Sequence, residues 1–288
     1  MEISSDTLMW NTFLRIQEDL RDFTLWPIFD LEGIRNLEYN IGFSNPYTVK
    51  CKAQVASFLK RYRFSNDKLS DQELDNLTNE KFLADQIRIG RVPPLTYRAF
   101  IVLQRARKII KQILGDAPTD ECIAPFCRFS TNSTVGFTGE DVYLDKKIFQ
   151  GTTLTGTVDE IKWFTNYLRS DPLLADSIQK DDKILLKQIV SLKQVNVPKN
   201  ASIMRPVRPN TLIGSFRSIG IGSLIVKRIK ENTGIDLNHL QRAHQNSARA
   251  GSRYMHNATA DLSSASDSFC PYLMNRVLPR KWYNFIKL

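Results

Sequence analysis

Among the residues able to do chemistry, the densest group is Ala258-Thr259-Ala260-Asp261-Leu262-Ser263-Ser264-Ala265-Ser266-Asp267-Ser268. Small and β-branched residues lead up to Asp261 and a serine-rich turn follows it. The pattern predicts a short strand that delivers Asp261 at its C-terminal end and then opens a helix. A carboxylate held rigidly there can ligate magnesium, a hard cation that takes oxygen ligands and keeps substrate phosphates in its shell. Asp261 and Asp267 can equally serve as helix caps through Asx turns. Upstream, residues 197–209 set Lys199, Arg205 and Arg208 on backbone that Pro198, Pro206 and Pro209 keep out of regular helix. Arginine forks suit phosphate oxygens, so the stretch fits a triphosphate or template clamp as well as an ordinary basic loop. Arg217 joins Arg208 as a candidate RNA contact.

The elements that must carry these residues are mostly helical in the first two thirds of the chain. Val55, Phe58, Leu59 and Tyr62 repeat at helical spacing, and helices are expected near 48–63, 71–89, 95–114 and 157–169. Ser70 with Glu73, and Thr157 with Glu160, have the Ser/Thr-x-x-Glu spacing of capping boxes. The 95–114 helix carries Phe100, Ile101, Leu103, Ile109, Ile110 and Ile113 and stops at Gly115. Its Arg98, Arg105, Arg107, Lys108 and Lys111 suit an RNA channel or the charged outer face of an amphipathic helix. Residues 122–156 read as loops and short strands, and 183–195 as a helix or a strand. Residues 216–230 lead to a stop at Gly234. Gly220 and Gly222 cost about 1 kcal/mol each inside a helix relative to alanine, so close packing is expected to explain them. Without a strand and a third glycine to frame them, they make a weak nucleotide-binding signal.

Composition narrows the class. At 42% hydrophobic and 24% charged, the 288 residues suit a folded protein with one large core or two modest ones. The first residues are acidic where a secretory signal is basic, and the most apolar stretch, 212–226, is shorter than a bilayer span and holds Arg217. A cytoplasmic protein is therefore expected. Cys51, Cys122, Cys127 and Cys270, and His239, His244 and His256, lack the spacing of a zinc site. The net charge of +10 is unevenly placed: residues 1–179 hold 22 basic and 24 acidic residues, whereas residues 180–288 hold 18 basic and 6 acidic. The last third thus carries +12, as a phosphate-contacting surface requires.

In order, Val197-Pro198-Lys199-Asn200, Gly234-Ile235-Asp236-Leu237-Asn238 and the Asp261 segment resemble the replicase catalytic subunit of the leviviruses, the single-stranded RNA phages. The similarity runs from about 197 to the end and includes Leu278-Pro279-Arg280-Lys281-Trp282-Tyr283. Upstream it is carried by Ser57-Phe58-Leu59-Lys60-Arg61-Tyr62, Glu80-Lys81-Phe82-Leu83 and Cys127-Arg128-Phe129. The chain departs from the family in lacking a glycine-proline-glycine turn after Phe129 and in having Arg208-Pro209 where the family often has Glu-Pro.

The resemblance implies an α+β right-handed polymerase fragment, with helix-rich fingers and the beginning of an antiparallel palm sheet. Residues 1–195 form the helical fingers region, 196–250 the basic fingers segment and helices leading to the palm, and 251–288 the start of the palm. It implies an RNA-directed RNA polymerase that uses two magnesium ions. Asp261 is the metal ligand and catalytic carboxylate; Lys199 and Arg205 face the incoming triphosphate; Ser266 and Asp267 lie near its ribose. RNA template and product, ribonucleoside triphosphates, host translation elongation factors and a ribosomal protein are the implied partners, in the cytoplasm of an infected bacterium. The family completes its two-metal site with a later Gly-Asp-Asp turn. None occurs in the 27 residues after Asp261, so this chain alone is expected to be inactive. The alternative is a non-catalytic RNA-binding protein derived from a replicase.

Overall fold

Local signals account for most of the helix ends. The computed structural model describes residues 4–20, 62, 69–91, 94–148, 151–180, 183–255 and 269–287. Helices α1 (Ser5–Leu20), α2 (Asp71–Gly90) and α3 (Tyr97–Leu114) come first. Single helical turns at Asp120–Ile123 and Leu144–Lys147 flank an irregular stretch, and strand β1 (Leu154–Gly156) follows. Next are α4 (Val158–Ser170), α5 (Pro172–Ile178), β2 (Leu186–Gln188), β3 (Val195–Asn200) and β4 (Ile203–Val207). The chain then forms α6 (Leu212–Thr233), α7 (Leu240–Tyr254), α8 (Pro271–Val277) and α9 (Arg280–Ile286). Among the described residues this is a helix-rich α+β arrangement with two small sheets.

Both expected capping boxes form. The Ser70 amide donates to Glu73 Oε2 at 2.7 Å while the Glu73 amide donates to Ser70 Oγ at 3.3 Å. The Thr157 amide donates to Glu160 Oε2 at 2.8 Å, and the Glu160 amide donates back to Thr157 Oγ1 at 3.3 Å. Gly234, left-handed at φ 72°, closes α6 at the expected stop. Of the 183–195 stretch, Leu186–Gln188 is strand, paired in parallel with β1 so that Leu154 meets Leu186. The expected helix at 48–63 lies outside the described residues apart from Tyr62, and so does the strand expected before Asp261.

The chain divides into two compact units, Met1–Ala84 with Val195–Val207, and Asp85–Gln194 with Arg208–Leu288. In the first, β3 and β4 make an antiparallel hairpin, and Asn196 Nδ2 donates to Asp75 O at 3.4 Å and Asn79 Oδ1 at 3.1 Å on α2. The second unit is built around α6. Leu212, Ile213, Phe216, Ile221 and Leu224 are buried there with Ile123, Leu154, Phe164, Ile178 and Trp282. Burying such side chains stabilises by roughly 1.5–3 kcal/mol each before chain entropy is subtracted.

Polar groups fix the ends of this core. Thr211 Oγ1 accepts from the Gly214 amide at 3.0 Å and donates to Glu160 Oε2 at 2.7 Å, so one carboxylate joins the starts of α4 and α6. Arg228 donates to the Leu114 carbonyl, and Asn232 Nδ2 to Ile113 O at 2.8 Å. Cation and carboxamide thus satisfy carbonyls that the end of α3 leaves without helical partners.

Gly220 is a close-packing position. A Cβ there would lie 2.4 Å from Cys127 Sγ and 3.2 Å from Ile123 O. Gly222 has nothing within 4 Å of its would-be Cβ, so packing explains the first glycine and not the second.

Candidate nucleic-acid interface

In the first unit, the candidate clamp is the β3–β4 hairpin. Val197 pairs with Arg205 and Pro198 with Met204, whereas Asn200 pairs with Ile203. The register shift between Pro198 and Asn200 makes Lys199 the extra residue of a β-bulge. Residues paired directly across two strands share a face. Asn196, opposite Pro206, bonds α2 on one face, which leaves Val195, Val197 and Arg205 on the other. Val195 and Val197 are 45% and 40% exposed, and both Lys199 and Arg205 are solvent-facing. Neither cation has a hydrogen bond or ion pair among the described residues. The hairpin therefore offers two uncommitted cations beside exposed aliphatic surface, which suits an anion attached to an apolar or aromatic group.

The turn that joins the strands is locally encoded. Asn200 Oδ1 accepts from the Ser202 amide at 2.9 Å, an Asx turn, and Ala201 is buried beneath it. The prolines kept the segment out of helix as expected, and the hairpin is the extended alternative.

Arg208 and Arg217 belong to the second unit, and they differ. Arg208 is exposed. Arg217, expected to contact RNA, is 4% exposed and serves the core instead. Its guanidinium lies 4.9 Å from the Phe285 ring centroid and 5.5 Å from that of Trp163, and Nη2 donates to Phe285 O at 2.9 Å. Burial pulls its pKa down, with the charge of Asp120 opposing that shift. A fork enclosed by two rings and committed to a carbonyl is not available to a phosphate backbone, so this expectation is corrected.

Lys147 was not anticipated. It is fully buried, with Nζ donating to Ser130 O at 2.6 Å and Asn132 O at 2.5 Å, and burial lowers its pKa. It acts as a cationic staple for the irregular 122–156 stretch. Local sequence holds no signal for this, because the carbonyls it ties come from a loop well before it. On α3, Arg98, Arg105, Lys108 and Lys111 are exposed, while Arg107 is half-buried.

Asp261, Ser266 and Asp267 lie outside the described residues. Among the described residues no group of three or more His, Cys, Asp or Glu side chains could hold a metal ion, and no helix is long and apolar enough to cross a membrane. A magnesium site therefore rests on the Asp261 segment as a sequence motif.

The geometry defines a helix-rich protein with uncommitted cations on an extended hairpin. Comparison with known proteins assigns it further. The family model described as RNA replicase, beta-chain, matches residues 93–288. The RNA-directed RNA polymerase subunit beta of Enterobacteria phage SP is 28% identical over 185 residues, which are 64% of this chain and 30% of that protein. Its counterpart from Escherichia virus Qbeta is 30% identical over 185 residues, 64% of this chain and 29% of that protein. The RNA-directed RNA polymerase beta chain of Escherichia phage MS2 is 29% identical over 160 residues, 56% of this chain and 29% of that protein. The chain belongs to the RNA replicase beta-chain family, and its match spans under a third of the length of these curated relatives.

Proposed function

We propose that this chain supplies part of a right-handed RNA-directed RNA polymerase, namely its helical fingers and the start of its palm, and takes part in template-directed extension of RNA. The family match over residues 93–288 carries the reading, since it includes the Asp261 segment. Bound magnesium would activate the attacking hydroxyl and stabilise the leaving oxygen, and Asp261 is the carboxylate of this chain that would hold it. Lys199 and Arg205 bind the incoming triphosphate. Their exposure on one hairpin, without carboxylate partners among the described residues, supports that role. Ser266 and Asp267 face the ribose, and Arg208 contacts RNA. Host translation elongation factors and a ribosomal protein are the proposed protein partners, in the cytoplasm of an infected bacterium.

A second reading, a replicase-derived protein that binds RNA without catalysis, is favoured by one observation. The +12 charge of residues 180–288 attracts RNA whether or not chemistry follows. Primer extension with magnesium and four ribonucleotides separates the two. The chain is assayed alone and together with a polypeptide that supplies a Gly-Asp-Asp turn. Synthesis in the combined sample is the expected result. RNA binding without synthesis in a folded mixture would favour the second reading.

A further inference from the structure

Arg107 on α3, Asn275 and Arg276 on α8, and Arg280, Tyr283 and Asn284 on α9 line one open cavity of about 410 Å³ in the second unit. Among the described residues no acidic side chain lines it. None of the three arginines forms an ion pair among the described residues, so three positive charges meet there without a carboxylate partner. Arg276 stands 5.1 Å from the Tyr272 ring centroid, a contact that limits where its fork can point.

The framework beneath the cavity is fixed. Trp282 is fully buried, its Nε1 donates to Gly115 O at 3.0 Å, and Arg228 covers its ring at 5.2 Å. Leu278, between the two helices that carry Arg276 and Arg280, is buried in the same core. Three like charges held on packed helices repel one another, and an anion placed among them removes that cost.

We propose that this cavity binds the phosphodiester backbone of single-stranded RNA. The inference rests on the replicase reading only for the identity of its ligand. Guanidinium forks suit phosphate oxygens, and this cavity brings three of them together. The half-buried Tyr283 ring gives a base a surface to stack on, and Asn275 and Asn284 can donate to and accept from ribose and base edges. A lone polyphosphate would use the forks but leave the ring and both carboxamides idle.

The test is the salt dependence of binding to a fluorescent oligouridylate with a 5′-hydroxyl, with inorganic tripolyphosphate as a second probe. The full chain is compared with Arg107→Gln/Arg276→Gln/Arg280→Gln and with a charge-matched control, Lys162→Gln/Lys187→Gln/Lys193→Gln. The control lysines are exposed residues of the same unit that do not line the cavity. Each lost phosphate contact on a single strand lowers the log–log salt slope by about 0.7, so the arginine variant should be shallower by about 2. At about 0.1 M salt that corresponds to an affinity loss on the order of 100-fold, against a much smaller loss in the control. Equal losses in the two variants would overturn the proposal, as would arginine-dependent binding of tripolyphosphate without RNA. Absence of RNA binding by the unmodified chain would also overturn it, whereas the replicase reading is judged separately by synthesis in the combined sample. Should the triple variant not fold, Arg280→Gln alone carries the test, with an expected slope change of about 0.7.

Discussion

Two glycines in one helix should respond to the same substitution with opposite signs. Gly220→Ala places a methyl 2.4 Å from Cys127 Sγ, with the Ile123 carbonyl oxygen at 3.2 Å and the Cys127 amide nitrogen at 3.3 Å. Two of those three atoms are backbone, so α6 must move away from the Asp120–Ile123 turn and the residues after it. Overpacking of this kind costs about 1–3 kcal/mol, and the upper half of that range fits a contact so far inside van der Waals distance. Alanine returns about 1 kcal/mol of helix propensity, which leaves a net loss of about 1–2 kcal/mol. Gly222→Ala meets nothing within 4 Å and keeps the propensity gain, so it should stabilise by about 0.5–1 kcal/mol. For a unit of this size, 1 kcal/mol moves the thermal midpoint by about 2–4 °C. Calorimetry should therefore show the Gly220→Ala midpoint several degrees below the parent and that of Gly222→Ala slightly above it. Adding Cys127→Ala to Gly220→Ala should recover part of the loss, because the sulfur goes while the backbone contacts remain. Equal midpoints for the two glycine variants would refute the packing of α6 against Cys127.

Arg217→Ala removes a charged hydrogen bond and contacts with two rings, so unfolding should become easier by about 2–4 kcal/mol, as read by denaturant titration. At temperatures where the variant is folded, its RNA affinity should match the parent. Burial pushes the Cys127 thiol up to about 12, whereas a hydrogen bond with Thr119 lowers that of the exposed Cys122. Alkylation near pH 8 followed by mass spectrometry should therefore modify Cys122 first and Cys127 only after denaturation. The Lys230 ammonium, 2.7 Å away, and His239 hold the Asp236 carboxyl at about 2 against an ordinary 3.8. The folded pKa is depressed, so this contribution is present above about pH 4 and lost as pH falls toward 2. A carboxyl-carbon NMR titration should show the midpoint near 2, and Lys230→Gln should raise it.

What the sequence disclosed follows the range of the interactions involved. The Ser70–Glu73 and Thr157–Glu160 boxes close within one helical turn and Gly234 needs only its own φ, so these features were readable from spacing. The prolines of residues 197–209 ruled out helix, but the bulge at Lys199 depends on how two strands align and carries no local mark. Arg217 sits on a helix whose sequence shows a cation among apolar residues; its burial depends on Trp163 and Phe285, which only the fold brings near. Lys147 and the Arg107–Arg276–Arg280 cavity escaped for the same reason, since their partners come from elements distant in sequence.

Asp261 is the proposed metal-binding carboxylate of a template-directed polymerase. The most direct test of that role compares the unmodified chain with Asp261→Ala in primer extension, each combined with a polypeptide that supplies the Gly-Asp-Asp turn, at matched folded concentration. Synthesis is expected with aspartate at this position and none with alanine, while both chains bind RNA equally. Undiminished synthesis by Asp261→Ala would contradict it.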